Sequence, residues 1–382
     1  MYSLRSITQR FQFPTIELQI TQVTFRALIT IYLSGDLWIV QFNSSSPSNL
    51  YACVPFPLAD FPTQLSAFVH HIQVGIPLLA GASTHAAIHI IRDYYASGGG
   101  LNTVVYNYQL IGHRDSIVAH LVWVTIFLGV HFFGLYLHND TLQALGRTED
   151  LIGDNSLQLR PPLTNYLVSL AGGGYTLEVL ESRVYFSGQE LGTSDFMTHR
   201  VHAFTIHVST PILVKGVLNA RGSRLISDKV SLGFRYPCDG PGRGGTCQVS
   251  PWDHIFLTLF WAYNSVPVSV FHFHWKSQSD IWGYYEEPKG VATHLTGGDF
   301  GTSSNTVNSW LTTFLWSQAS QVIQGYATPV VAYSLIFLAS HFVWALSLMF
   351  LYSGRGYWQE FIEIVTWAHA KLHLAPAPNP EH

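Results

Sequence analysis

The sequence predicts an all-α fold, a polytopic transmembrane helix bundle of about six spans, and three observations predict it. Of 382 residues, 48% are apolar and only 11% are charged, whereas a soluble domain carries about 25% charged residues. Five stretches are apolar over the roughly 20 residues that a helix needs to cross a hydrocarbon core of about 30 Å. The third observation is histidine: there are 19, as many as Lys and Arg together. Ionisable side chains at membrane depth are costly and mark functional positions. A net charge of −4 excludes nucleic-acid binding by bulk charge, 14% aromatics exclude disorder, and three cysteines are too few for a disulfide framework.

In chain order, the first span, residues 24–42, is the weakest, because Arg26 and Asp36 interrupt it. No signal peptide is expected ahead of it: Arg5 and Arg10 are present, but no compact apolar stretch with a small-residue cleavage site follows. The five strong spans are expected at residues 64–91, 117–138, 196–218, 252–275 and 328–352. Loop charge orients them. Residues 219–251 hold five basic side chains (Arg221, Arg224, Lys229, Arg235, Arg243) against two acids, while residues 139–195 hold three Arg against eight acids. The excess of Lys and Arg places the 219–251 loop on the cytoplasm-equivalent side.

Histidines recur along these spans. At 100° and 1.5 Å per residue, His120, His131 and His138 fall within about 20° of one helix face but stand roughly 16 and 10 Å apart along it. One metal ion cannot bridge them. The spacing suits separate planar ligands, each taking one axial imidazole. His199, His202 and His207 fan over a broad arc of the next span, and His70, His71, His85, His254, His272 and His341 are further candidates. Any one of these alone would be read first as an interhelical hydrogen-bonding residue. About a dozen at depth favour axial ligation of tetrapyrrole metals. A bis-histidine haem would use only two or four.

The loop between the third and fourth strong spans reads Phe234-Arg235-Tyr236-Pro237-Cys238-Asp239-Gly240-Pro241-Gly242-Arg243-Gly244-Gly245-Thr246-Cys247. It lacks the Lys-Ser/Thr ending of a phosphate-binding loop. Its two cysteines are open to three readings: a local disulfide, two unpaired thiols, or half of an iron–sulfur site. Such a cluster takes four thiolates. Cys53, the remaining cysteine, falls on the opposite side by span parity, so a two-fold partner would have to bring the other two ligands.

From Pro237 to Cys247, followed by Trp252-Asp253-His254, this loop resembles the one in the large core subunits of photosystem I that binds an intersubunit four-iron cluster. The run Ser353-Gly354-Arg355-Gly356-Tyr357-Trp358-Gln359-Glu360 is similar to the acceptor-side signature of that family. Gln248-Val249-Ser250 and Ser353-Gly354-Arg355 resemble its A-type rather than its B-type member. The resemblance spans residues 28–380. It implies part of an eleven-helix core fold. Residues 1–113 would form a partial antenna region with two spans, and residues 114–382 an electron-transfer region with four spans and the cluster loop 234–251.

Carried over by position, the resemblance implies that His341 ligates the magnesium of a special-pair chlorophyll. Met349 would ligate the primary acceptor chlorophyll through its thioether, although a gap-filling core Met is the plain reading without the family. Tyr263 and Asn264 would sit by the accessory chlorophyll. Ser353, Arg355 and Trp358 would line a phylloquinone pocket. Cys238 and Cys247 would hold half of a 4Fe-4S cluster shared with the partner subunit. His71, His85, His120, His131, His138, His199, His202, His207, His254, His272 and His369 would ligate antenna chlorophyll a, with carotenoids and lipids nearby. The implied setting is the plastid thylakoid membrane. The implied partners are the B-type core subunit, a stromal iron–sulfur subunit and a lumenal electron donor, with no nucleic acid. The complex would act as a light-driven oxidoreductase from plastocyanin or a c-type cytochrome to ferredoxin or flavodoxin, and the isolated chain would be inactive.

Family members are about twice this long. The N-terminal antenna helices and the last family helix are expected on sister fragments of a split core subunit. Where the family has a His-His pair ending the first span, this chain reads Val40-Gln41-Phe42, and Arg200 replaces another family histidine. The rival from another class is a haem-bearing membrane redox subunit or a histidine-rich transporter.

Overall fold

The computed structural model describes residues 61–92, 110–151, 155–157, 177–180, 183–186, 189–281, 300–323 and 348–373. Four helices in this set are long and apolar enough to cross a membrane and form the expected helix bundle: α1 (Phe61–Arg92), α2 (Arg114–Ala144), α3 (Thr193–Leu218) and α4 (Pro251–Lys276). The expected span at 24–42 and most of that at 328–352, with His341, lie outside the described residues. Later come α5 (Trp316–Ile323), α6 (Leu348–Tyr352) and α7 (Arg355–His373).

The boundaries have local causes. Ser250 caps α4: its Oγ accepts the Asp253 N–H at 3.2 Å and donates to Asp253 Oδ2 at 2.7 Å, with Pro251 at the first helical position. At the start of α3 the Asp195 carboxylate accepts the Gly192 N–H at 2.9 Å. The end of α1 is capped from the cysteine-bearing loop, where Arg221 donates to the carbonyls of Ile90 and Ile91 at 3.0 and 2.9 Å. Arg224 meets Asp115 with two hydrogen bonds of 3.0 and 2.7 Å, tying the same loop to the start of α2. Pro77, Pro211 and Pro267 sit inside α1, α3 and α4. Within a packed membrane bundle the freed backbone groups find partners on neighbouring helices and on Ser/Thr side chains.

α3 lies between α2 and α4 and packs along both. Phe68 and Ile72 of α1 bury against Val270 and Phe273 of α4. Ile212, Leu257, Met349 and Tyr357 join α3, α4, α6 and α7 into one apolar cluster. The outer face of α2 exposes Trp123, Ile126, Phe127, Val130, Phe133 and Leu137. This apolar exposure suits a surface turned to lipid or pigment rather than water.

Three short antiparallel strands precede α3: β1 (Leu177–Leu180), β2 (Arg183–Phe186) and β3 (Gln189–Leu191). Leu177 pairs with Phe186, and Val184 with Leu191. This meander lies in the long acidic connection, with β3 against the start of α3, and was not expected from the sequence.

Candidate functional site

Four histidines share one local geometry. Nδ1 of His120, His131, His207 and His254 lies 2.6, 2.6, 2.7 and 2.7 Å from the carbonyl four residues earlier (Ser116, Phe127, Ala203 and Ser250). A carbonyl only accepts, so Nδ1 carries a proton, and in the neutral ring Nε2 then keeps its lone pair. That tautomer is the one an axial ligand requires, with the backbone as its second shell. His120, His131 and His138 are exposed along α2, as the 100° step predicts, and the Phe127 ring lies 4.0 Å from that of His131. His85, His199 and His369 are exposed, while His71, His202 and His207 are half-buried. His202 Nε2 and His272 Nδ1 are 2.9 Å apart, and the His199 ring lies 5.4 Å from that of His272.

His254 departs from this pattern. Its ring is buried, and Lys215 Nζ donates to Nε2 at 2.7 Å. With its Nε2 lone pair engaged by an ammonium group in this arrangement, His254 forms part of a charged cluster. Gly216 makes the approach possible, since a Cβ there would lie 2.5 Å from His254 Cβ. In the same cluster Lys215 Nζ reaches Glu360 Oε1 at 3.2 Å, Lys229 pairs with Glu360 Oε2, and Lys229 donates to the Val249 carbonyl at 3.0 Å. Burial alone would raise the Glu360 carboxyl, but Lys215 and Lys229 outweigh it and hold it at about 2. Burial pushes Lys229 down against the opposing pull of Glu360.

Cys238 and Cys247 are both free thiols, which removes the local-disulfide reading. The loop between them is fixed by Thr246: Oγ1 accepts the Asp239 N–H at 2.8 Å and donates to the Gly240 carbonyl at 2.6 Å. The Gly240 N–H points at Cys238 Sγ at 3.4 Å, the kind of amide contact that tunes a thiolate-bound cluster. Gly244 and Gly245 take φ of +87° and +114°, and a Cβ on Gly244 would strike the Arg355 guanidinium at 2.6 Å.

Arg355, expected beside a quinone pocket, staples this loop. Its guanidinium donates to the carbonyls of Arg243 and Gly245, each at 3.2 Å. Gly354 and Gly356 let α7 start against the loop, since a Cβ on either would meet Cys247 or Thr246 atoms within 2.6–2.8 Å. The Tyr357 N–H donates to the Cys247 carbonyl at 3.2 Å. One residue on, Trp358 Nε1 donates to Ser353 Oγ at 2.7 Å, and its ring stacks on Phe350 at 5.7 Å. Met349 is buried, with its sulfur 3.0 Å from Trp261 Nε1. Tyr263 is exposed. Asn264 beside it is buried with both amide atoms unpartnered among the described residues. An orphaned amide costs about 1–3 kcal/mol, so its placement fits a bound molecule or water.

The residues present therefore fit the groups the resemblance implies: imidazoles on His120, His131 and His207 with Nε2 uncommitted to the backbone, two thiols in a loop with an amide at Cys238 Sγ, and an indole beside it. Sequence reasoning missed Lys215, Lys229, Glu360 and Trp261. Their partners lie tens to more than a hundred residues away, and no local spacing announces them.

The family described as Photosystem I psaA/psaB protein matches residues 37–186 and 173–381. A relative from Heterocapsa triquetra named Photosystem I P700 chlorophyll a apoprotein A1 is 51% identical over 93% of this chain and 51% of its own length. One of the same name from Cyanidioschyzon merolae is 52% identical over 92% of this chain and 48% of its length. The chain thus spans about half the length of the curated relatives it matches.

Proposed function

This chain belongs to the photosystem I psaA/psaB family, and from that premise we propose that it forms part of a light-driven reaction-centre core in a photosynthetic membrane, the plastid thylakoid. Its half-length relative to the relatives means that the whole activity requires the family's remaining helices, whichever polypeptide carries them.

In this reading His71, His85, His120, His131, His138, His199, His202, His207, His272 and His369 each offer one imidazole to a chlorophyll a, and His341 does so in the special pair. The backbone carbonyls behind His120, His131 and His207 fix the tautomer that leaves Nε2 free. Met349 offers its sulfur to the primary acceptor chlorophyll, and Tyr263 and Asn264 face the accessory one. Trp358, held by Ser353, forms the flat wall for a phylloquinone. Cys238 and Cys247 supply two of four thiolates to a 4Fe-4S cluster, and the B-type partner subunit supplies the rest. When bound, these cofactors absorb light and carry an electron from a lumenal donor toward a stromal iron–sulfur subunit, chemistry that is theirs rather than the chain's.

The observation that carries the reading is the hydrogen bond from Tyr357 N–H to the Cys247 carbonyl. It ties the backbone beside the quinone-wall indole directly to the backbone of a cluster cysteine, so consecutive carriers would share one rigid block. The basic loop bearing these cysteines lies on the side that loop charge assigns to the cytoplasm or stroma, which agrees with the direction of transfer. The absorption spectrum of the complex purified with this chain tests the proposal. Strong red chlorophyll bands are expected. A Soret band with only weak haem bands would overturn it and favour the haem-bearing rival.

A further inference from the structure

Resting on the reading that Cys238 and Cys247 hold half of a cluster, we propose that Lys215, Lys229 and Glu360 are positioning residues for it. Together they fix the backbone after the second cysteine and make the cluster easier to reduce.

The three side chains are each at most 1% exposed. His254 accepts from Lys215, so its ring is neutral. The set therefore holds two ammonium groups against one carboxylate and carries an excess positive charge. Arg114 and Glu363 stand further out and act with opposite signs. A buried excess charge costs free energy that apolar packing of the same space would avoid.

Its location suggests what it does. Lys229 grips the carbonyl of Val249, two residues beyond Cys247. Lys215 Nζ lies 4.3 Å from the centroid of the Tyr357 ring, whose backbone N–H holds the Cys247 carbonyl. The contacts close a ring: Cys247, Tyr357, Lys215, Glu360, Lys229, Val249. Reduction adds one electron and hence one negative charge to a cluster at Cys247. Because the charged set itself is buried, its excess positive charge is weakly screened by water and favours the reduced form over the oxidised one.

The test is a redox titration of the cluster, followed by its electron-spin signal, in the photosystem complex carrying this chain. Glu360→Gln keeps the shape and removes the counter-charge. It should make reduction at least tenfold easier, a rise of about 59 mV for one electron. Lys215→Met should shift the equilibrium at least tenfold the other way. The double variant Glu360→Gln/Lys215→Met restores the excess of one positive charge and should return to the wild-type potential. A purely structural role would move both single variants in the same direction, or neither, and either result overturns the proposal. If a single variant fails to accumulate, the double variant decides. Wild-type potential upholds the charge argument, whereas a displaced potential or a missing cluster overturns it. Absence of any cluster signal from the wild-type complex would instead remove the underlying reading, and this proposal with it.

Discussion

Trp261 donates its indole N–H to the sulfur of Met349 at 3.0 Å, joining α4 to α6 inside the apolar cluster that also buries Leu257 and Tyr357. Thioether sulfur is a weak acceptor, and it is also the soft donor that the sequence resemblance assigns to the primary acceptor chlorophyll. Met349→Leu conserves volume, so its packing cost should stay below about 1.5 kcal/mol. The complex should assemble with normal pigment content while early charge separation, followed by ultrafast absorption, slows. Unchanged kinetics would return Met349 to a gap-filling role.

His131 and His254 should behave differently on substitution. Both donate Nδ1–H to a carbonyl, but only His131 keeps Nε2 for a ligand. His131→Leu is expected to lower pigment content by one chlorophyll per complex. His254→Gln should leave it unchanged, while lowering thermal stability because the buried Lys215 ammonium loses its 2.7 Å bond to Nε2 and keeps only Glu360. Pigment extraction and a melting curve check both, and a chlorophyll lost with His254→Gln would reverse the assignment.

Ser353→Ala removes the acceptor of the Trp358 indole. The lost hydrogen bond should cost about 0.5–1.5 kcal/mol and let the ring reorient. Flash spectroscopy should then show altered electron transfer from quinone to cluster, with chlorophyll content untouched.

Gly216→Ala would place a Cβ 2.5 Å from His254 Cβ, between α3 and α4. Alanine gains about 1 kcal/mol of helix propensity over glycine, but overpacking costs about 1–3 kcal/mol. A lowered melting temperature is expected, and a raised one would mean that the helices separate freely here.

Acid should act through Glu360. Its folded pKa, about 2, lies below the ordinary 4.5, so the stability it contributes is fully present above about pH 4.5. That stability declines as pH falls toward 2 and is gone below it. Glu360→Gln should flatten that part of the acid-stability profile, as read by near-ultraviolet circular dichroism.

Much of the bundle was legible from local pattern. The 252–275 span emerges as Pro251–Lys276 with Ser250 as its cap, and the 117–138 span as Arg114–Ala144. The shared face of His120, His131 and His138 followed from helical periodicity alone. What stayed hidden depends on chain crossings. Lys215 lies near the end of a predicted span and Glu360 closes the acceptor-side signature run, yet they meet across 145 positions. Arg355 belonged by motif to the quinone pocket, and only the fold shows its guanidinium turned to the cysteine loop. The strands before α3 had no alternating signal strong enough to separate them from an acidic loop.

The most direct measurement is the low-temperature electron-spin spectrum of the strongly reduced complex, compared between wild type and Cys247→Ala. We expect the wild type to show the signal of a four-iron cluster shared between two core subunits, and the variant to lack it. An undiminished signal in Cys247→Ala would show that this loop does not hold the cluster.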